Sequence, residues 1–433
     1  MSRHFTMKAG LALLAASAIS LSACSSTTPT TTTSAGTSTS SSAAAAAAEP
    51  LTVGTLLPIT GTLAFLGPPE IAGVGLAIDD INEAGGVLGS EVEEVSADSG
   101  DSTDMNVSTQ GATELINGGA DVVIGAASSS VSLNVVDQIT EAGIMMISPA
   151  NTSTTLSGYS PLYSRTAPPD TVQGAALGSA VLDSGYSKVA VIVQNEDYGT
   201  GLRDNVQKAV EDGGGEVVYG ATGGGQEFAP GESNFSSIVT EALATKPDTI
   251  VIVAFEETVA IVKALLAAGW DTTNLFLCDG NTADYSKDFD AGTLEGAQGT
   301  IPGAQASDDF KAKLSDWYKE SEGEALTDFS YGPESYDATI LAALAAVRGG
   351  ATDGQTISDN LQAVSGSESG AVEVSTYADG VAALAEGKEI AYKGIAGIGA
   401  INDKNDPSSA FIGVYSYDGD NKPVFDRAVE GKA

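Results

Sequence analysis

Histidine is almost missing from this chain of 433 residues: His4 is the only one, and Cys24 and Cys278 are the only cysteines. A Ser-His-Asp or Cys-His nucleophile system needs an imidazole as general base, and a histidine-bearing zinc site needs one as ligand. Neither can be built in the body of the chain. Two cysteines, one of them so close to the start, exclude a disulfide framework. Positive charge is also scarce, with 19 Lys and Arg against 57 Asp and Glu and a formal charge of −38. Such a surface repels nucleic acid and anionic lipid headgroups. No GxGxxG opens a helix and no GxxxxGK[ST] occurs, so the glycine runs at 213–215 and 223–225 read as loops, not phosphate cradles. Beyond the first residues, no stretch stays apolar for the roughly 18 residues that a membrane-spanning helix needs.

What is present begins with Arg3, Lys8 and an apolar segment over 9–21, followed by Leu21, Ser22, Ala23 and Cys24. Residues 1–23 are expected to be a secretory signal peptide. The LSAC ending resembles the lipobox of bacterial lipoproteins, which makes Cys24 the expected lipidated residue. Residues 24–50 are mostly Ser, Thr and Ala. They cannot bury enough apolar surface to offset their ordering entropy, so they read as a tether. Loss of Arg3 and Lys8 would leave a net charge of about −40. Residues 51–433 are long enough for two domains of about 150 residues each.

Hydrophobic periodicity over 51–148 alternates between strand and helix. Strands are expected at 51–58, 91–96, 121–125 and 144–148, and helices at 67–85, 103–117 and 132–141. The pattern then restarts, with strands at 188–194, 216–219, 249–254 and 275–277 separated by helices at 199–212, 235–245 and 258–268. This is the signature of parallel sheets covered on both faces. The two halves echo each other: ADVVIGAASSS, a helix and AGIMMISPANTST parallel PDTIVIVAFEE, a helix and AAGWDTTNLFLCDGNT. Ligands of open α/β sheets bind beyond the carboxyl ends of the strands. Two such sheets face to face set Ser128, Ser129, Ser130, Asn151 and Thr152 opposite Phe255, Cys278 and Asp279. Serines at a helix N-terminus offer N–H groups and hydroxyls to an anion.

The stretches GTLLPITGTLAFLG (54–67), AIDDINEAGGVLG (77–89), GIMMISPANT (143–152), DYGTGL (197–202) and Tyr336 to Ala338 ahead of an Ala/Leu-rich helix occur in a telling order. Together with 123–130 they resemble the extracytoplasmic substrate-binding proteins of ABC transporters, type I fold, branched-chain amino acid (Leu/Ile/Val-binding) family. The resemblance covers 51–433. It implies two Rossmann-like lobes joined by three crossovers, lobe 1 being 51–167 plus 299–404 and lobe 2 being 168–298 plus 405–433. It further implies that Ser129, Thr152 and the Ala150 backbone hold a ligand carboxylate, that Asp279 takes the ammonium, and that Tyr198 closes over the ligand. Phe65, Leu66, Phe255 and Tyr331 would form the side-chain walls. The implied partner is an ABC permease, met by a monomer held to the membrane through its N-terminal lipid only, with no cofactor and no metal. Leu66, Phe255 and the shorter Asp279 depart from the best-known members, which leaves amides, urea and aromatic acids open as ligands.

Plainer readings stand beside these. One of the three serines is expected to cap a helix, and Asp279-Gly280 alone reads as a turn. Tyr198, Phe65 and Phe255 are by default wall or core residues. Cys278 reads as a small buried residue. The acidic runs at 403–406 and 418–421 lack the spacing and terminal Glu of an EF-hand loop, and YDGDN between two strand-like runs reads as a hairpin turn. A sensory receptor on the same fold, or a carboxylate-only hydrolase, are the rival functions. Enzymatic activity is not expected, because no close pair of carboxylates shows at the predicted cleft.

Overall fold

The computed structural model describes residues 49–303 and 305–432. The expected signal peptide, Cys24 and all but the end of the tether lie outside the described residues. Two sheets organise the rest. The first contains β1 (Thr52–Leu57), β2 (Glu93–Asp98), β3 (Val122–Gly125), β4 (Met145–Ser148) and β5 (Tyr163–Arg165), all parallel in the order β2-β1-β3-β4-β5. Its linking helices are α1 (Gly67–Glu83), α2 (Met105–Asn117) and α3 (Ser129–Glu141). After α4 (Asp170–Asp183) the chain builds β6 (Lys188–Val193), α5 (Asp197–Asp212), β7 (Glu216–Tyr219), α6 (Ser236–Ala244), β8 (Thr249–Val253), α7 (Thr258–Ala267), β9 (Leu275–Leu277) and β10 (Gln298–Pro302). It then returns to cover the first sheet with α8 (Asp308–Glu322), α9 (Gly332–Gly349), α10 (Gly354–Gln362) and α11 (Tyr377–Ala385). The last helix lies between β11 (Val372–Val374) and β12 (Ile390–Tyr392), which pair in a small sheet of their own. A hairpin of β13 (Ser409–Tyr417) and β14 (Pro423–Lys432) completes the second sheet, ordered β14-β13-β10-β9-β8-β6-β7.

Period-two burial explains the layering. In β6, Val189, Val191 and Val193 join the cluster that reaches the cleft, while Ala190 and Ile192 pack under α6 and α7. In β1, Val53 and Leu57 face α1 and α9, whereas Leu56 faces α2 and α3. The chain therefore passes between lobes three times: between β5 and α4, between β10 and α8, and between β12 and β13. The expected boundaries at 167/168 and 404/405 fall inside these links. That at 298/299 falls within β10, which hydrogen-bonds to β9 and β13, so the second passage comes only after Pro302.

The acidic runs find structural employment. Asp418 accepts from the Asp420 and Lys422 N–H groups in the turn between β13 and β14, and Asp406 pairs with Arg165. Among the described residues no helix is long and apolar enough to cross a membrane.

Candidate functional site

The cleft is built from strand ends. Ala127, Ser128 and Ser129 follow β3, while Ala150, Asn151 and Thr152 follow β4. From the other lobe come Phe255 after β8, Asp279 and Gly280 after β9, and Tyr198 in the first turn of α5. Together with Leu63, Leu66 and Tyr331 they enclose a cavity of about 20 Å³, room for about one water. Eight of the nine residues assigned to a ligand site from sequence line it. Phe65 does not. It faces an outer chamber of about 680 Å³ that shares Phe255 and Gly280 with the inner cavity.

The three serines divide their work. Ser128 caps α3 by accepting from the Val131 N–H. Ser129 Oγ accepts from the Thr152 and Ser153 N–H groups at 3.3 and 3.2 Å, which leaves its own proton free to donate. Ser130 reaches the other lobe: its hydroxyl lies 2.6 Å from Glu196 Oε2 and 2.9 Å from Asp197 Oδ2, and accepts from the Asp197 N–H at 3.0 Å.

Asp279 is gripped by neutral donors. Gln173 Nε2 and the Tyr198 hydroxyl donate to Oδ1 at 2.8 and 2.6 Å, and the Tyr331 hydroxyl donates to Oδ2 at 2.6 Å. Burial pushes this carboxyl up, and the hydrogen bonds from Tyr198, Tyr331 and Gln173 oppose the rise. A carboxylate has about four acceptor directions, so Oδ2 retains one for a further donor. Tyr331 caps α9 with φ 61°, a left-handed conformation that is strained for a bulky residue. That conformation carries its phenol across the cleft. Tyr198 stacks on Phe255 with ring centroids 5.4 Å apart and planes 12° from parallel, and its hydroxyl also touches Cys278 Sγ.

Four contributors escaped the sequence reading. Arg165, fully buried, donates to Asp406 at 2.6 Å, to the Asn151 and Ser153 carbonyls and to Ser157 Oγ. It braces the turn carrying Thr152 from behind. Asp170 and Gln173 lie three apart in α4, and both are fully buried among its apolar residues. That spacing on one helix face was the available signal. Glu196 caps α5 by accepting from the Gly199 N–H.

Burial lifts Glu196 from its ordinary 4.5 to about 7, against hydrogen bonds from Ser130 and Gly199. A carboxyl whose folded pKa is raised stabilises the fold fully below its unfolded pKa, and that contribution is lost as pH rises through the folded one. Stability is therefore expected to fall between about pH 4.5 and 7, by at most about 3 kcal/mol from this group. Urea denaturation across that range should show a shallower slope in Glu196→Gln. Parallel profiles for variant and wild type would mean that the carboxyl titrates normally.

Comparison with known proteins agrees with this architecture. A family model described as periplasmic binding protein matches residues 50–391. A leucine-, isoleucine-, valine-, threonine- and alanine-binding protein of Pseudomonas aeruginosa is 32% identical over 186 residues, 42% of this chain and 49% of that protein. The chain spans about half the length of the curated relatives it matches. A branched-chain amino acid transporter substrate-binding protein of Streptococcus pneumoniae, solved with isoleucine, superposes with TM-score 0.70 at 21% identity, covering 89% of this chain and 100% of its own. A solute-binding protein from R. palustris, solved with 4-hydroxybenzoate, superposes with TM-score 0.70 at 16% identity, covering 89% and 97%. These structures share the fold.

Proposed function

The chain belongs to the periplasmic binding protein family, and on that premise we propose that it is the substrate-binding component of an ABC importer, capturing a branched-chain or other apolar amino acid. One observation carries the reading. A single cavity brings Ser129 and Thr152 of one lobe together with Asp279 of the other, among Leu63, Leu66 and Phe255. A zwitterion removed from water needs donors for its carboxylate and a negative partner for its ammonium. Leu63, Leu66 and Phe255 then suit an uncharged side chain. A cavity of about 20 Å³ is far smaller than an amino acid, so admission requires the lobes to part or the walls to repack. The ligand shifts that equilibrium only through its greater affinity for the closed form.

In this proposal Cys24 carries the lipid, 25–50 is the tether, and the monomer hands its ligand to a permease without altering it. No cofactor takes part.

A thermal-shift screen of 51–433 against amino acids, amides, urea and aromatic acids tests the reading. Ligand at about 100 times its Kd adds roughly 2.7 kcal/mol of stability, which raises the midpoint by a few degrees. Leucine, isoleucine or valine is expected to give the shift, and Ser129→Ala to remove it. The stacked Tyr198–Phe255 pair also suits a flat ring, so a response confined to aromatic acids would keep the fold and family but discard the ammonium role of Asp279.

A further inference from the structure

Behind the anion-binding side of the cavity lies a carboxyl that the proposed function does not use. Asp170 opens α4, and its N–H donates to the Thr152 carbonyl at 2.8 Å. The side chain is fully buried, and both of its oxygens lack a hydrogen bond of good geometry. Thr152 Oγ1 is likewise buried and without one, although it lies within interaction range of the Asp170 carboxyl. Gly201 approaches from α5: a Cβ there would meet Asp170 Oδ2 at 3.2 Å. The charged groups facing Asp170 are Asp279 from the loop after β9, Glu196 from the start of α5, and Arg165 from β5. Arg165 is already committed to Asp406 and the backbone. An ionised carboxylate left in such a place without partners is very costly.

We propose that Asp170 is held as the neutral acid and acts as a positioning residue, donating its proton to Thr152 Oγ1 so that the threonine's own proton faces the ligand carboxylate. This rests on the amino-acid-binding reading above. The physical basis is that a hydroxyl has one proton and two lone pairs. Beside an ionised Asp170, Thr152 spends that proton on the aspartate and turns lone pairs toward the incoming carboxylate. Beside a neutral Asp170, Thr152 accepts and its proton is released toward the cavity. Burial, then the charge of Asp279, push the Asp170 carboxyl well above the ordinary range, in keeping with this arrangement. The acid therefore selects for ligand groups that accept a hydrogen bond at Thr152, and against groups that can only donate one, as long as it keeps its proton.

The test uses two variants of the full chain and two readouts. In wild type, infrared spectra are expected to contain a protonated-carboxyl stretch at pH 7 that Asp170→Asn removes. No ligand is needed for this. Leucine titrations between pH 5 and 10 supply the second readout, with wild type divided by Asp170→Asn at each pH so that titration of leucine itself cancels. An asparagine donates to Thr152 at every pH, so the ratio of affinities should stay near one at low pH and fall at least tenfold as Asp170 ionises. Asp170→Ala, which cannot donate, should bind leucine about tenfold more weakly throughout while retaining a cooperative thermal transition. An unchanged infrared spectrum in Asp170→Asn overturns the proposal, and so does a ratio that stays flat across the pH at which the wild-type infrared band disappears. A wild type with the infrared band but no affinity for leucine would instead overturn the ligand assignment and leave the neutral acid standing.

Discussion

Asp279→Asn is expected to weaken leucine binding by about 2–4 kcal/mol, roughly 30- to 1,000-fold, while scarcely changing the affinity for 4-methylpentanoate, which lacks the ammonium. The substitution keeps the shape of the side chain. Its Oδ1 can still accept from Gln173 and Tyr198, and its amide can donate to the Tyr331 hydroxyl, which now donates to Oδ2. What disappears is the negative charge. Without it an ammonium taken from water has no counter-ion in the cavity, since the lining contains no other acidic residue. Alanine would be a poorer test, because it strands three buried donors at once and confounds affinity with folding. Calorimetry with both ligands decides: equal losses for the two would place the ammonium elsewhere, and no loss for either would remove Asp279 from the site.

Arg165→Met is the second large effect. Its guanidinium is fully buried and serves four acceptors, one of them the Asp406 carboxylate, which is itself buried. Removing one member of a buried ion pair leaves the other charge uncompensated, at a cost of about 3–5 kcal/mol. The thermal midpoint should fall by roughly 5–10 °C, and ligand affinity should fall with it because the Asn151 and Ser153 carbonyls on either side of Thr152 lose their brace. Arg165→Met with Asp406→Leu should recover most of the stability, since an apolar pair of similar bulk often replaces a buried ion pair without loss. If the double variant were no more stable than the single one, the ion pair would not be the source of the effect.

Much of this was legible in the chain because it is local. The strands at 216–219 and 275–277 carry their apolar runs between turn residues, and the structure has them at those positions. The helix expected from Ser132 begins at Ser129 instead, because Ser128 and not a later serine supplies the cap. Ser129, Thr152, Phe255 and Asp279 were legible through the echo between halves, because equivalent strand ends must face each other if the sheets do, whereas Leu66, Ala150, Tyr198 and Tyr331 came from the resemblance alone. Phe65 lies apart from the other eight because adjacent residues of a short 3-10 turn point apart. Leu66 turns in to the cavity and Phe65 out to the larger chamber. Arg165, Asp170 and Glu196 were not assigned because little in the local sequence distinguishes a buried charge from a solvated one, the three-residue spacing from Asp170 to Gln173 being the one exception. Their partners at 406, 152 and 130 are chosen by the fold, not by spacing.

The threefold passage between lobes also dictates when each lobe can exist. The first sheet is complete in sequence at β5, yet the helices that cover one of its faces, α8 to α11, are made more than a hundred residues later. The second sheet waits longer still, because β10 cannot gain its antiparallel neighbour until β13 has been made. Both cores thus depend on the last third of the chain, and contacts so distant in sequence are slow to form. A nascent chain would present half-covered sheets for most of its synthesis, a condition that invites chaperone holding. It also leaves the polypeptide threadable for as long as its last third is unmade.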